Sequence, residues 1–371
     1  MTLPANVSMR RFLLLSLIPI IALGACVPPD STPHNDSTDS ASINHDQTAE
    51  ERPYLPIAPE RGYYKGFSAI LPPDGDFETA YARASEHAEF VSTWVGASDS
   101  GYWDLAEYLS GWWGSTFVEG FTRGNGMFPI LNLSFIDRDA SGRLTLSQPP
   151  GASYTGLSDP AFRETYRDAA VAAVRAVRPA YVSLGNEVNR WHSAFGESSD
   201  GSNDFEHFVT LYEETYAAVK EACPETVVFC VFAREIVSEG RKADMSVLGL
   251  FKPSTLDAVV FTSYPFAVSG VSVPSDLPDD YYSAAVRAAG LADKPFGFTE
   301  LGWSTMEAFG GESAQAQSLA DVVGRLSVEQ SLQLSLLGWW SLFDLEGDVH
   351  GTGLIAADGR EKPAFALWES L

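Results

Sequence analysis

The sequence is poor in cysteine, in basic residues and in long apolar runs, and each shortage narrows what the chain can be. Among 371 residues there are three cysteines. Cys223 precedes the predicted strand Thr226–Phe232 and Cys230 lies within it, so the extended chain holds their Cα atoms beyond disulfide reach. We therefore expect two free thiols there. Lysine and arginine number 24 against 49 acidic residues, so the net charge is −25. Such a charge disfavours nucleic acid and anionic lipid headgroups as partners and suits a neutral ligand better.

Three chemical signatures are also missing. No GxGxxG segment follows the first predicted strand, and no histidine and cysteine cluster has the spacing of a metal site. No Ser-His-Asp set is evident, and we interpret His192 and His350 as loop residues. We therefore expect no cofactor and no metal.

The longest apolar run, Phe12 to Leu23, is short for a membrane span and follows Arg10 and Arg11. It ends in LGAC at Cys26, which resembles the lipobox of bacterial lipoproteins. The resemblance implies a signal peptide over residues 1–25, with Met1 or Met9 as its start, and a lipid on Cys26 after export to the cell surface or periplasm. Residues 26–60 are rich in Pro, Ser, Thr and Asp and predict a flexible tether. The alternative is an ordinary signal peptide with a chance cysteine.

From residue 61 onward, short apolar runs alternate with helical stretches. Helix patterns are clearest at Asp159–Val177, where Asp159-Pro160 is a good N-terminal cap, and at Asp204–Ala222. Apolar strands that alternate with helices indicate a parallel sheet covered by helices, and eight units predict a single-domain (β/α)8 TIM barrel over residues 61–371. The predicted strands are Tyr64–Ile70, Phe90–Val95, Met127–Phe135, Tyr181–Gly185, Thr226–Phe232, Ala258–Ser263, Pro295–Thr299 and Ser335–Ser341.

Two of these strands end in a glutamate. Glu187 follows the fourth strand after Asn186, and Glu300 follows the seventh. A carboxylate at the end of a buried strand is costly to ionise without a partner, and the C-terminal ends of barrel strands meet at one mouth. We therefore predict that Glu187 and Glu300 form one pair of catalytic acids.

The same strand ends supply amides and aromatic rings, which suit the hydroxyl groups and C–H faces of sugars. Because strand side chains alternate, only one of Trp339 and Trp340 can face the barrel centre. The candidate substrate-binding residues are Asn186, Tyr264, Trp340, Trp94, Asn132, Trp191 and Trp303.

The order of these motifs resembles the clan A retaining glycoside hydrolases over most of residues 61–371. The matching segments are NE after the fourth strand, a Tyr ending the sixth, TE ending the seventh and WWSLFD on the eighth. The resemblance implies that Glu187 is the general acid/base and Glu300 the nucleophile. It further implies that Asn186 binds the sugar 2-hydroxyl, Tyr264 bonds Glu300 and Trp340 lies under the sugar ring.

Within the clan, length and the spacing of GNE and TE-GW are most similar to endo-β-1,4-galactanases, with mannanases and β-glucanases nearly as similar. One departure concerns an Arg or His that many clan members place near the nucleophile from strands two or three. Here those strands end at Trp94 and Asn132, and Asn132 is the candidate to fill that space.

Each candidate also has a structural interpretation. Glu187 could be a helix N-terminal carboxylate, Glu300 a buried ion-pair partner and Tyr264 a strand-end aromatic. Glu235, beside Arg234, is expected to form a surface ion pair. The tryptophans of one Gly- and Tyr-rich loop region are either remote sugar platforms or core residues; they are Trp103, Trp112 and Trp113.

The sequence thus predicts a monomeric retaining glycosidase that cleaves a neutral β-linked polysaccharide (galactan, mannan or glucan) internally and meets the membrane only through Cys26. The alternative is a surface lipoprotein that binds glycans without cleaving them, which the missing Arg favours. An aldolase-like barrel would need a strand-end Lys or a metal set, and neither is evident.

Overall fold

A computed structural model describes residues 56–94, 101–196, 201–326, 332–345 and 347–371. The predicted signal peptide, Cys26 and nearly all of the predicted tether lie outside these ranges. Within them, no helix combines the length and the apolar character that crossing a bilayer requires.

Nine parallel strands form the central sheet, and two short antiparallel pairs lie outside it. The strands are β1 Tyr64–Ala69, β2 Phe90–Thr93, β3 Phe128–Asn132, β4 Ile136–Arg138, β5 Leu144–Leu146, β6 Tyr181–Ser183, β7 Val227–Phe229, β8 Val231–Ala233, β9 Glu235–Ile236, β10 Arg241–Lys242, β11 Val259–Ser263, β12 Pro295–Leu301 and β13 Gln333–Ser341. The sheet order is β7-β6-β3-β2-β1-β13-β12-β11-β8, and the antiparallel pairs are β4 with β5 and β9 with β10.

The sheet closes because β7 and β8 are the two halves of one strand, divided at Cys230. β7 pairs with β6, and β8 pairs with β11, so the split strand joins the two ends of the sheet. Nine segments therefore occupy the eight positions of a (β/α)8 barrel, and the predicted TIM barrel is confirmed. All eight predicted strands are present, with shifted ends.

Helices cover the outside of the barrel. They are α1 Phe77–Ser85, α2 Leu105–Ser110, α3 Pro160–Val177, α4 Asn189–Phe195, α5 Phe205–Ala222, α6 Ser283–Ala288, α7 Gly311–Gly324 and α8 Pro363–Ser370, with a π-helix at Gly114–Thr122 and 3-10 turns at Arg123–Asn125, Val237–Glu239, Ser246–Leu250, Pro253–Thr255, Pro265–Ala267, Pro274–Asp276 and Glu307–Phe309. The predicted cap of α3 is present, since the Asp159 carboxylate accepts the Ala161 N–H at 2.9 Å.

Two apolar clusters stabilise the fold, one inside the barrel and one between strands and helices. The inner cluster includes Tyr64, Phe90, Ile130, Val260 and Leu336. Because side chains alternate between the two faces of a strand, the residue two positions after an inward-facing one also faces inward. That face becomes polar toward the C-terminal ends of the strands, where it carries Ser68, Ser92, Asn132, Ser183 and Thr262. The barrel interior is therefore apolar in its middle and lined by polar side chains at its mouth. Both described cysteines are buried and free, as predicted.

Candidate active site

Glu187 lies at the mouth in an unusual backbone conformation. After β6 the chain stays beside the split strand, since the Leu184 N–H donates to Phe229 O at 2.8 Å and the Val188 N–H to Val231 O at 3.0 Å. Between these anchors Glu187 has φ of 50°, in the left-handed region. For a residue with a Cβ this region costs about 1–2 kcal/mol. The flanking hydrogen bonds hold the residue in this strained conformation.

Glu300 faces the barrel centre because of a β-bulge. Phe296 and Phe298 pack in the outer cluster, so strict alternation along β12 would place Glu300 with them, toward the helices. The register instead shifts between Phe261↔Phe298 and Thr262↔Glu300, which leaves Thr299 as an extra residue. A bulge of this kind redirects the following side chain. Glu300 thereby reaches Ser68 on the inner face of β1, whose Oγ donates to Oε1 at 3.4 Å.

The environment of Glu300 disfavours its charged form. Glu300 is only 5% exposed to solvent. Burial, and secondly the nearby charge of Glu187, raise the pKa of Glu300 to about 7, whereas hydrogen bonds from Tyr264 and Ser68 act to lower it. The Tyr264 hydroxyl donates to Oε2 at 2.7 Å, as the resemblance implied. Burial and the second acid therefore favour the protonated form of Glu300, and the two hydroxyl donors favour the charged form.

One short segment contacts both glutamates. Thr262, near the end of β11, donates through Oγ1 to Glu187 Oε1 at 2.8 Å, and Tyr264 donates to Glu300. Glu187 also lies near enough to raise the pKa of Glu300, after the larger effect of burial. The two acids therefore meet at one mouth, although 113 positions separate them in the sequence.

One aromatic ring borders the acids, and a second follows a neighbouring barrel strand. Trp340 continues the inward face of Leu336 along β13, is half-buried, and lies 6.4 Å from the Tyr264 ring between centroids at 73°. Its neighbour Trp339 faces the helices, and its indole N–H donates to Thr352 O at 2.9 Å. The predicted alternation is thus observed, with Trp340 as the inward ring. Trp94 follows β2 directly and is also half-buried.

Two amide oxygens at the mouth have no hydrogen-bond donor among the described residues. Asn132 ends β3, and its Nδ2 donates to Ile130 O at 3.1 Å while its Oδ1 is buried without a partner. The Oδ1 of Asn186, next to Glu187, is likewise buried and accepts no hydrogen bond from the described residues. Buried amide oxygens are normally paired, so each is a place where a ligand hydroxyl or a water can donate. Both residues match the predicted set.

Two predicted platforms are corrected by the structure. Trp191 is 1% exposed and its indole N–H donates to Asn203 O at 2.9 Å; Trp303 is 0% exposed and donates to Phe309 O at 3.0 Å. A sugar platform must expose a ring face, and neither ring does. Both indoles belong to the outer core. We leave them out of the proposed site.

Glu235 is a second correction. The residue was expected in a surface pair with Arg234, yet it is 3% exposed and lies beneath Tyr264. Its carboxyl group accepts the Tyr264 N–H at 2.6 Å, the Tyr281 hydroxyl at 2.6 Å and the Ser263 hydroxyl at 3.1 Å. Burial raises its pKa to about 7, although these hydrogen bonds oppose the shift. Glu235 therefore fixes the backbone of the tyrosine that bonds Glu300.

The sequence argument also missed residues that contact the acids. Ser68 and Thr262 bond the glutamates, and Arg190 forms an ion pair with Glu187. The sequence did contain a pattern that could have indicated each of these three contacts. Ser68 and Thr262 lie on the inward face of their strands by alternation, and Arg190 follows Glu187 by three residues.

The described ranges contain no group of three or more His, Cys, Asp or Glu side chains arranged to hold a metal ion. His350, expected as a loop residue, lies in a turn and contacts Ser304. His192, also expected in a loop, lies instead on α4, near Asp244.

Comparison with known proteins identifies the fold. No protein-family model matches the chain, and no curated protein is significantly similar to it. Native xylanase 10B from Thermotoga maritima superposes with a TM-score of 0.58 at 15% identity, over 84% of this chain and 94% of the xylanase. The GH53 catalytic domain of Ignisphaera aggregans superposes with a TM-score of 0.56 at 14% identity, over 85% of this chain and 97% of that domain. The exo-β-1,4-mannosidase Op5Man5 from Opitutaceae bacterium strain TAV5 superposes with a TM-score of 0.56 at 15% identity, over 84% of this chain and 61% of the mannosidase. At such identities the similarity establishes a shared barrel.

Proposed function

We propose that the chain is a retaining glycosidase that cleaves a β-linked polysaccharide internally, with Glu300 as the nucleophile and Glu187 as the general acid/base. One observation carries this proposal: two carboxyl groups from different strands are hydrogen-bonded to a single segment, Thr262 to Tyr264, at the mouth. Retaining hydrolysis uses two carboxyl groups about 5–5.5 Å apart on either side of the scissile bond. The structural neighbours, whose descriptions name glycosidases, support the same chemistry.

Glu300 suits the nucleophile because its two oxygens each face a hydroxyl donor. Tyr264 and Ser68 donate to different oxygens, and such hydrogen bonds stabilise a carboxylate. Burial also removes the water that would otherwise shield the attacking oxygen. The charge of Glu187 raises the pKa of Glu300, after the larger effect of burial, so the two acids are electrostatically coupled. The retaining mechanism uses Glu300 as the charged nucleophile and Glu187 as the acid.

Glu187 suits the acid/base because it is the more accessible of the two acids. Its side chain is 16% exposed at the mouth, where a leaving oxygen and then a water molecule can approach. In the first step Glu187 gives its proton to the leaving sugar oxygen while Glu300 bonds the anomeric carbon. In the second step Glu187 takes a proton from water, which displaces Glu300 from the sugar.

The half-buried rings and the unpaired amides complete the proposed sugar site. Trp340 and Trp94 offer ring faces, and the Oδ1 atoms of Asn132 and Asn186 can accept sugar hydroxyls. Galactan, mannan and glucan backbones remain the candidate substrates.

A second candidate is a barrel that binds glycans without cleaving them. The ion pair of Arg190 with Glu187 favours it, because the carboxyl group that would donate a proton to the leaving oxygen is already in contact with a guanidinium. Incubation of the full chain with galactan, mannan, glucan and xylan separates the two functions. An enzyme releases reducing ends, whereas a binder only retards migration in gels that contain the glycan.

The roles of the two acids are tested with aryl β-glycosides, whose leaving groups need little protonation. Glu187→Gln should retain a burst of released phenol followed by slow turnover, since attack by Glu300 does not need the acid. Glu300→Gln should release no phenol. Glu206→Gln, an exposed position on α5, is the matched control and should behave as the parent chain. A burst from Glu300→Gln and none from Glu187→Gln would reverse the assignment.

We also propose that the chain is exported and anchored by a lipid on Cys26. The proposal rests on the LGAC segment after the apolar run. In a bacterial host, labelled fatty acid should be incorporated into the full chain and lost in Cys26→Ser. Equal labelling of both would refute the anchor.

A further inference from the structure

Arg190 contacts Glu187, the proposed general acid, directly. Arg190 lies three residues after Glu187 at the start of α4, and its Nη1 forms an ion pair with Glu187 Oε2. The charge of Glu187 raises the pKa of Arg190, so the pair is mutually stabilised. A general acid must be neutral when it acts, and therefore this ion pair has to open before Glu187 can protonate a leaving group.

A second arginine lies beside this pair. Arg138 ends β4 in the hairpin that follows β3, and β3 is the barrel neighbour of β6, with Asn132 paired to Ser183. The hairpin therefore starts beside the segment that carries Glu187. Partial burial lowers the pKa of Arg138, repulsion from Arg190 lowers it further, and attraction to Glu187 opposes both. The side chain donates to Gly142 O at 2.7 Å, and its guanidinium has no ion-pair partner among the described residues.

The mouth thus holds one guanidinium paired with Glu187 and a second, that of Arg138 on the neighbouring hairpin, near enough to interact electrostatically with both, within a chain whose net charge is −25. Arginines seldom lie half-buried beside each other unless an anion lies between them, because their charges repel. Glu187 fills that role in the free protein. A second anion that entered the mouth would compete with Glu187 for both arginines, and a guanidinium binds carboxylate and sulfate groups through parallel hydrogen bonds.

We propose that Arg138 and Arg190 form a subsite for an anionic sugar, one that carries a carboxylate or a sulfate ester, on the leaving-group side of the scissile bond. The anion draws Arg190 from Glu187 and so releases the acid for catalysis. This inference rests on the proposed function, since it assigns a substrate class to the same mouth. It replaces the neutral substrate expected from net charge, because two guanidinium groups lie at the mouth of an otherwise acidic chain.

The leaving-group side is assigned by Glu187 itself. The acid/base lies next to the leaving oxygen, so groups bonded to Glu187 border the sugar that departs. On the opposite side the sugar that bonds Glu300 meets Tyr264, Ser68 and Trp340, which carry no charge. The arginines therefore select the leaving residue, and the ring of the attacked sugar is recognised by neutral groups.

The test compares each backbone in two matched forms. Oligosaccharides of β-1,4-glucan, mannan and galactan are offered as neutral chains and after oxidation of C6 to the carboxylate, with 6-sulfated chains as a third arm. The variant Arg138→Gln is compared with Arg143→Gln on the same hairpin, whose side chain is 83% exposed. The full chain is used throughout, and KM and kcat are measured separately.

The proposal predicts that an acidic form is cleaved with a kcat/KM about tenfold or more above that of its neutral backbone, as expected for one or two charge-assisted hydrogen bonds. Arg138→Gln should remove most of this preference by raising KM for the acidic form alone, and Arg143→Gln should leave it in place. The arm with the larger preference, carboxylate or sulfate, identifies the anion. A second signature is specific to Arg190: Arg190→Gln should lose the preference and raise kcat on the neutral backbone, because Glu187 is no longer held by the ion pair.

The anionic subsite would be overturned if neutral backbones were cleaved as efficiently as their acidic forms and Arg138→Gln affected both equally. That result would not contradict the proposed glycosidase activity. If no form is cleaved, the proposed function fails, and the subsite is then judged by binding. Tighter retention of acidic chains in affinity gels, lost in Arg138→Gln, supports it. Equal or absent retention overturns it.

Discussion

Tyr264→Phe is the sharpest perturbation of the proposed nucleophile, because it removes one hydroxyl and leaves the ring in place. Its hydroxyl donates to Glu300 Oε2 at 2.7 Å, and Glu300 is too buried for water to replace the bond freely. A hydrogen bond to a charged group contributes about 1.5–3 kcal/mol. Since one pKa unit corresponds to roughly 1.4 kcal/mol, the loss should raise the pKa of Glu300 by about 1–2 units.

The sign of the effect follows from the proposed role of Glu300. The nucleophile must be ionised, and its pKa is already raised to about 7 by burial and by Glu187. A further rise moves the acidic limb of the profile of kcat/KM against pH upward by about 1–2 units. At pH 7, where the parent nucleophile is about half ionised, the variant should therefore lose about 5- to 50-fold of its kcat/KM, and at pH 9 it should recover most of it.

The assay is kcat/KM between pH 5 and 9.5 on an aryl β-glycoside or on the glycan that the panel identifies. Tyr212→Phe is the matched control, since that buried hydroxyl donates to Thr255 O at 2.9 Å, outside the barrel mouth. An unchanged acidic limb, or a loss of equal size at every pH, would mean that Tyr264 does not tune the ionisation of Glu300, and the electrostatic argument would fail.

Three further outcomes are expected. Trp340→Ala should raise KM on the cleaved glycan without changing the melting temperature, whereas Trp339→Ala should lower the free energy of unfolding by about 3–5 kcal/mol in denaturant titrations, because it empties a core position. Glu187→Gly should be more stable than Glu187→Ala by about 1 kcal/mol, the reverse of the usual order, because φ there is 50°. Burial raises the pKa of both Glu235 and Glu300 from 4.5 to about 7. The folded chain thus keeps protons that the unfolded chain has released, so thermal melts should show stability falling from pH 5 to 7, with a smaller fall in Glu235→Gln.

Much of the fold was predictable because it follows from local patterns. Alternating apolar runs and helical stretches gave all eight strand positions, and Asp159-Pro160 marked the start of α3. The ends of strands were less predictable. β6 stops at Ser183, two residues before the predicted end, and the fifth strand divides at Cys230, where the closing sheet changes partners. Those features depend on neighbouring strands that the local sequence does not specify.

The site was predictable in its acids and less so in their surroundings. Trp191 and Trp303 follow the glutamates as a sugar platform would, yet which way an indole turns depends on the helices packed over it, so composition cannot separate platform from core. Glu235 resembled a surface residue because its burial is completed by Tyr281, 46 residues later. Alternation from Phe298 would even have placed Glu300 among the helices, since the bulge that redirects it is visible only in the register with β11.

Both acids of the pair depend on departures from regular backbone geometry. Glu187 occupies a left-handed conformation that a glycine would adopt without strain, and Glu300 faces inward only because Thr299 is an extra residue in β12. Each departure costs stability, and a barrel selected only for stability would relax both. Sites where the chain breaks local rules and neighbouring contacts maintain the break are where function is expected. That both breaks turn a carboxyl group toward Thr262 and Tyr264 is therefore an argument for a catalytic pair that is independent of any resemblance in sequence.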